Sequence, residues 1–258
     1  MNLSEGELKE FVETGVLFFS ELFSVKELLF LRAAANRVTE RPGSNVTPET
    51  KTSGIRMVHG AHKYEDVFSK LCQHPRIVRP AEQLLGTGIY LHQTRLNVNQ
   101  GFGSGGFDWH QDYATWKEVD GLPEPRALMI AVFFDEVDAT NGPLLYIPGS
   151  HSLGVIDDFE PIEDATGNVL MNLSRAKLTE LAEENGIKAG IGNAGSVLFM
   201  HCNLVHGSTA NISPKSRTLF YINVNSVENP QTAFVRADYH AGSDFTPLSV
   251  LGDDVFLK

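Results

Sequence analysis

In the run "FDWHQDYATW", residues 107–116, His110 and Asp112 set an imidazole and a carboxylate two positions apart. On an extended strand such positions share a face, so both groups point one way and Gln111 points the other. Asp108 shares that face, and spacing alone leaves either aspartate open as the carboxylate donor. A third donor is available in "GSVLFMHCNLVHGSTAN", which carries His201 and His206. His206 follows an apolar strand and precedes a Gly-Ser turn. Two imidazoles and one carboxylate suit Fe(II) with open coordination positions, although zinc hydrolases draw on similar ligands. Arg217 opens "RTLFYINVN" eleven positions after His206. Its guanidinium can grip a carboxylate through two parallel hydrogen bonds. A metal with open sites and an arginine on the next strand meet the needs of a dicarboxylate cosubstrate such as 2-oxoglutarate.

The elements that position these groups change character along the chain. The first part, to about residue 85, reads as mainly helical. "SEGE" at Ser4 and "SVKE" at Ser24 have capping-box order, and Leu28, Leu29, Leu31 and Ala34 give the second helix an apolar face. Residues 41–53 have turn and loop composition, and as a mobile loop they could close over a site. From residue 89 onward, "IYLHQTRLNVNQ", "RALMIAVFFDEV", "GPLLYIPG", "GSVLFMHCN" and "RTLFYINVNSV" are short β-rich runs punctuated by Gly, Pro and Asn. "SRAKLTELAEENG" reads as a helix with Ser174 as N-cap and Gly186 as stop. The pattern predicts a mainly β fold with flanking helices, a double-sheet jelly roll, as one domain over residues 1–258 with the helical part packed on the roll.

A formal net charge of -11 over 258 residues argues against nucleic-acid or anionic-membrane partners. The apolar run "VLFFSELF" is interrupted by Glu21 and is too short to span a bilayer. The N-terminus is acidic, unlike a secretory signal. Cys72 and Cys202 fit no disulfide framework, and a reducing cytoplasm is the expected location. "GFGSGG", residues 101–106, lacks the Lys-Ser/Thr ending of a phosphate loop and reads as a flexible connection into the metal strand.

Taken together, "IRMVHGAHK", "HPRIVRPAEQLLG", "HQTRLNVN", "WHQDYATW", "DGLP", "NGPLLYIPGSH" and "HGSTANISPKSR" resemble the phytanoyl-CoA dioxygenase superfamily of iron- and 2-oxoglutarate-dependent oxygenases. The resemblance runs from about Leu8 to Tyr239, and within the superfamily it is nearest to bacterial proline trans-4-hydroxylases and ectoine hydroxylases. It implies a double-stranded β-helix, cupin-like, with His110, Asp112 and His206 as iron ligands and O2 as co-reactant. It further implies Arg217 on the distal carboxylate of 2-oxoglutarate with Ser208 beside it, Gln93 and Asn97 hydrogen-bonding that cosubstrate, and Trp116 lining the substrate pocket. Read from the residues, Gln93, Arg95 and Asn97 alternate along one strand and give it a polar face.

Ectoine hydroxylases resemble F-x-W-H-S-D-F-E-T-W-H, whereas this chain has Gln111, Tyr113, Ala114 and Lys117 at the differing positions. "VHGAH" and "GSHSLGVID" look closer to the proline hydroxylase version. The expected partner is therefore a small free amino acid, L-proline or a close analogue such as pipecolate, with ectoine or another compatible solute as the alternative. A cupin-like metal-binding protein without catalysis is the reading from another class. A zwitterionic substrate needs a cation for its carboxylate and an aromatic face for its ammonium group. Arg95, Arg56 and His59 are the expected carboxylate partners, and Trp116 with Tyr113 the aromatic face.

Overall fold

The computed structural model describes residues 1–49, 53–103, 105–163 and 169–257. It opens with α1 (Glu5–Thr14), β1 (Val16–Phe19), α2 (Val25–Thr39), β2 (Val46–Pro48), β3 (Ile55–His59), α3 (Asp66–Cys72) and α4 (Pro75–Leu85). The roll follows as β4 (Ile89–Asn99), β5 (Phe107–His110), α5 (Asp112–Asp120), β6 (Ala127–Phe133) and β7 (Leu144–Tyr146). Next come β8 (Phe159–Glu163), β9 (Val169–Leu173), α6 (Arg175–Asn185) and β10 (Lys188–Gly190). The last strands are β11 (Val197–His201), β12 (His206–Ser208) and β13 (Arg217–Ser226).

Both expected capping boxes form, Ser4 with Glu7 and Ser24 with Glu27, so two N–H groups at each helix start are answered by side chains. Along α2 the buried face is Leu28, Leu31, Ala34, Ala35 and Val38, while Leu29 is 62% exposed. Ser174 caps α6 as its sequence indicates.

A seven-stranded sheet in the order β1-β11-β6-β13-β4-β3-β2 faces a four-stranded sheet in the order β10-β7-β12-β5. The paired strands run antiparallel, giving the jelly roll expected from the strand pattern. The N-terminal part is less purely helical than its composition indicates. β1 forms one edge of the large sheet, and β3 and β2 form the other. β2 falls inside the stretch expected as a loop; residues 50–52 of that stretch lie outside the described residues. No helix among the described residues is long and apolar enough to cross a membrane.

Alternation along β4 and β13 separates two environments. Leu96, Phe220, Ile222 and Val224 join Leu31, Phe68, Ile77 and Val78 in the large core beneath the helices. The opposite face carries Leu219 and Tyr221, packed with Met129, Ala131, Phe133, Leu144 and Leu204 between the sheets. Register sets Arg217 opposite Asn99, Leu219 opposite Asn97, Tyr221 opposite Arg95 and Asn223 opposite Gln93. Directly opposed residues of an antiparallel pair project to the same face. The inner wall of the roll is therefore polar where β4 and β13 meet.

Candidate active site

β5 and β12 pair so that His110 and His206 stand directly opposite each other. Their rings lie 4.3 Å apart at 51°. Asp112 Oδ1 is 3.3 Å from His110 Nε2. The ligand atoms of all three residues fall within 4.8 Å of one another, and Asp108 is outside the group. The local reason differs from the sequence expectation. The strand ends at His110, and Asp112 is the first residue of α5, with Gln111 extended between them at φ -117° and ψ 124°. Because that single residue keeps strand geometry, positions 110 and 112 still face the same side.

Hydrogen bonding fixes the donor atoms. His110 Nδ1 lies 2.7 Å from the Asp108 carbonyl and His206 Nδ1 lies 2.9 Å from the Leu204 carbonyl. A carbonyl only accepts, so both Nδ1 atoms carry the proton and both Nε2 atoms present lone pairs to the centre. Burial, then the neighbouring His110, push His206 down to about 4, so it is unprotonated at neutral pH, as a metal ligand must be. Burial alone would raise the Asp112 carboxyl. The proton and charge that His110 and His206 offer it once they are protonated, with the charge of Arg95, outweigh burial and hold the group well below the usual carboxylate range. Asp112 Oδ2 is buried without a partner. Two imidazole lone pairs facing a carboxylate form a donor set that a divalent cation satisfies, so these residues fit iron.

Gln111 points away from this cluster and is fully used. Its Nε2 donates to the carbonyls of Gly154 at 2.8 Å and Asn203 at 2.6 Å, and its Oε1 accepts from Ile156 N at 2.9 Å. The amide ties the His110–Asp112 junction to the turn that leads into β12. Gln111→Ala leaves those buried backbone groups unpaired, an expected loss of about 2–4 kcal/mol at roughly 1 kcal/mol per group. A lower urea midpoint at unchanged m-value checks it.

Arg217 is 3% exposed. Its Nη2 donates to the Gly142 carbonyl, while its Nε has no partner. It lines a small cavity with Arg56, Asn97, Val98, Asn99, Gly105 and Phe107. The buried Oδ1 atoms of Asn97 and Asn99 are also without partners. Ser208, two positions beyond His206, accepts from Phe107 N at 3.1 Å and so borders the cavity wall. Burial lowers the Arg217 pKa, with the nearby Arg56 adding to the effect. A polar pocket with an under-paired guanidinium fits a carboxylate ligand.

Not every expected residue gathers here. Arg56, expected at the substrate carboxylate, lines the Arg217 cavity, with Glu49 at 3.4 Å and the Phe107 ring at 4.4 Å. Gln93 is not among the cavity residues. It donates to the His240 carbonyl at 2.6 Å and accepts from Asn223 at 3.1 Å. Tyr113 donates to the Leu122 carbonyl at 3.2 Å and packs with Trp116, Leu122, Ala127 and Cys202. It is a core residue because, one position past Asp112, helix rotation turns it about 100° away. Trp116 lies one turn beyond Asp112, with its edge 5.0 Å from His92 between ring centres. Arg95 sits over the Tyr221 ring at 4.8 Å, and His59 lies opposite Arg95 across β3 and β4.

Sequence reasoning missed the buried network beside Trp116. Asp120 contacts His92 Nε2 at 3.1 Å and accepts from two Arg236 nitrogens, Nε at 2.8 Å and Nη2. It also missed His240, whose ring lies 4.3 Å from His59. Arg236 and His240 occur in an irregular C-terminal stretch where no periodicity marks them.

The phytanoyl-CoA dioxygenase (PhyH) family profile matches residues 11–219. The ectoine dioxygenase of Streptomyces coelicolor is 37% identical, over 95% of this chain and 87% of that enzyme. The ectoine dioxygenase of Bordetella bronchiseptica is 34% identical, over 88% and 77% respectively. The crystal structure of EctD from S. alaskensis with 2-oxoglutarate and 5-hydroxyectoine superposes with a TM-score of 0.85 at 30% identity, covering 96% of this chain and 87% of that one. Fold and kinship define an iron-dependent dioxygenase that uses 2-oxoglutarate and O2. The chain belongs to the phytanoyl-CoA dioxygenase family.

Proposed function

We propose that His110, Asp112 and His206 hold the iron, that Arg217 clamps the distal carboxylate of 2-oxoglutarate, and that the hydroxylated substrate is ectoine or a solute of the same small, cyclic, zwitterionic class. The convergence of three donors from β5, α5 and β12 within 4.8 Å carries the first part. The bound iron, with 2-oxoglutarate and O2, supplies the oxidising chemistry. The protein's own contribution is placement. The His110 and His206 tautomers are held by backbone carbonyls, Asn97 and Ser208 stand at the cosubstrate cavity, and the buried core around Tyr221 keeps water out.

For the substrate, the relatives move the weight from L-proline to ectoine, since the curated enzymes similar to this chain are ectoine dioxygenases. The departures from the ectoine-type motif weigh less than their number suggests. Gln111 turns away into backbone hydrogen bonds, Lys117 is exposed, and Tyr113 belongs to the core. The test is a panel of ectoine, L-proline and L-pipecolate with Fe(II), 2-oxoglutarate and air, reading succinate and hydroxylated product together. Ectoine is expected to give the highest kcat/KM with one product per succinate. A higher value for L-proline overturns the substrate assignment and leaves the oxygenase assignment standing.

A further inference from the structure

Beyond the Arg217 cavity, a second group of nitrogen-bearing side chains collects on the polar wall. His59 and Arg95 are register partners on β3 and β4, so they project to one face. His240 reaches the same place from the C-terminal stretch, its ring 4.3 Å from His59, its carbonyl held by Gln93. His59 is 6% exposed, and its Nδ1 has no partner. The Arg95 Nε is likewise buried and unpaired. Among the described residues Arg95 has no carboxylate within ion-pair distance, whereas Arg56 has Glu49 and Arg236 has Asp120. Arg95 stands over the Tyr221 ring at 4.8 Å and opposes it across β4 and β13, on the wall that faces the space between the sheets.

We infer that His59 and His240, with Arg95, form the clamp for the carboxylate of the molecule being hydroxylated. This rests on the proposed reading of the metal site and deepens it, because it states which end of a zwitterion lies against which wall. The chemistry selects among the three cations that sequence spacing or position offers. A guanidinium already holding a carboxylate has less to gain from another, so Arg56 and Arg236 are set aside and the unpaired Arg95 remains. Burial, then the charges of Arg95, His240 and Arg236, push His59 down to about 2, so it serves as a neutral N–H donor at every working pH. His240 is lowered by burial and by Arg236 and Arg95, leaving Arg95 as the cation of the clamp. The cosubstrate has its own arginine in a separate cavity, which leaves this group for a second carboxylate.

The experiment is anaerobic calorimetry on the Fe(II)- and 2-oxoglutarate-loaded protein, titrated with ectoine, L-proline and the carboxamide of each. The unaltered protein is expected to prefer the better-bound acid over its amide by about tenfold or more, the scale of one hydrogen bond to a charged group. His59→Ala and His240→Ala should each bring that preference towards parity, while His59→Gln, which keeps an N–H donor, retains part of it. The dissociation constant for 2-oxoglutarate should change by less than about twofold in these variants, a shift under 0.5 kcal/mol. Full acid preference in both alanine variants overturns the clamp. So does a loss of preference that travels with a loss of 2-oxoglutarate affinity, which would assign the group to the cosubstrate. Failure of the unaltered protein to bind Fe(II) and 2-oxoglutarate at all, read from its charge-transfer absorbance, overturns the metal-site reading instead.

Discussion

Asp112→Asn is expected to abolish hydroxylation while leaving the fold intact. The substitution keeps the shape of the side chain at the start of α5 and removes only its charge, so the elements that carry it have no packing reason to move. The carboxylate is the single anionic donor of the cluster, and its Oδ2 has no protein partner to compensate for a lost metal bond. Replacing residues that merely orient a metal ligand costs about 10–100-fold in metal affinity or activity. Removing a ligand itself should exceed that range, and iron content after desalting together with product formation reads both consequences. The metal-free variant should keep its circular dichroism spectrum. Retention of iron and activity would remove Asp112 from the centre and return Asp108, its neighbour on β5, to consideration.

That result would also show why so much of the site was legible in the sequence even though its local structure was not. The spacing of His110 and Asp112 reads as strand alternation. The chain instead leaves the strand at His110 and starts a helix at Asp112. The inference survives because facing depends only on the extended backbone of Gln111. Alternation along β4 is equally informative, since Gln93, Arg95 and Asn97 at every second position of a buried strand mark an inner wall. Short elements were not legible: β2 and β3 run three and five residues, too few to establish a period against the surrounding turn composition. Contacts between distant positions were harder still. His240 meets Gln93 across 147 positions and Arg236 meets Asp120 across 116, and no local pattern encodes either. Arg56 shows a different limit: its type marks a cation, but motif spacing does not say which end of a roll a side chain faces, and it lines the Arg217 cavity.

Arg217→Met should collapse the affinity for 2-oxoglutarate and leave iron binding in place. Two hydrogen bonds to a charged group, at about 1.5–3 kcal/mol each, amount to roughly 3–6 kcal/mol, or about 100- to 20,000-fold in the apparent requirement for the cosubstrate. Arg217→Lys should recover only part of this, because an ammonium keeps the charge but lacks the planar fork that meets both carboxylate oxygens. The ligand-free protein gives an independent reading. Arg217 is almost wholly buried, donates from Nη2 to the Gly142 carbonyl and leaves Nε unsatisfied. A buried charge so poorly paired is costly, and an apolar side chain of similar length is often tolerated as well or better in its place. Arg217→Met is therefore expected to match or exceed the stability of the unaltered protein when 2-oxoglutarate is absent, and to lose the stabilisation that saturating 2-oxoglutarate gives the unaltered protein. Denaturant midpoints with and without the cosubstrate separate the two effects. A variant that is destabilised without the ligand yet still gains stability from it would show Arg217 to be a structural residue of the roll, with the distal carboxylate held elsewhere.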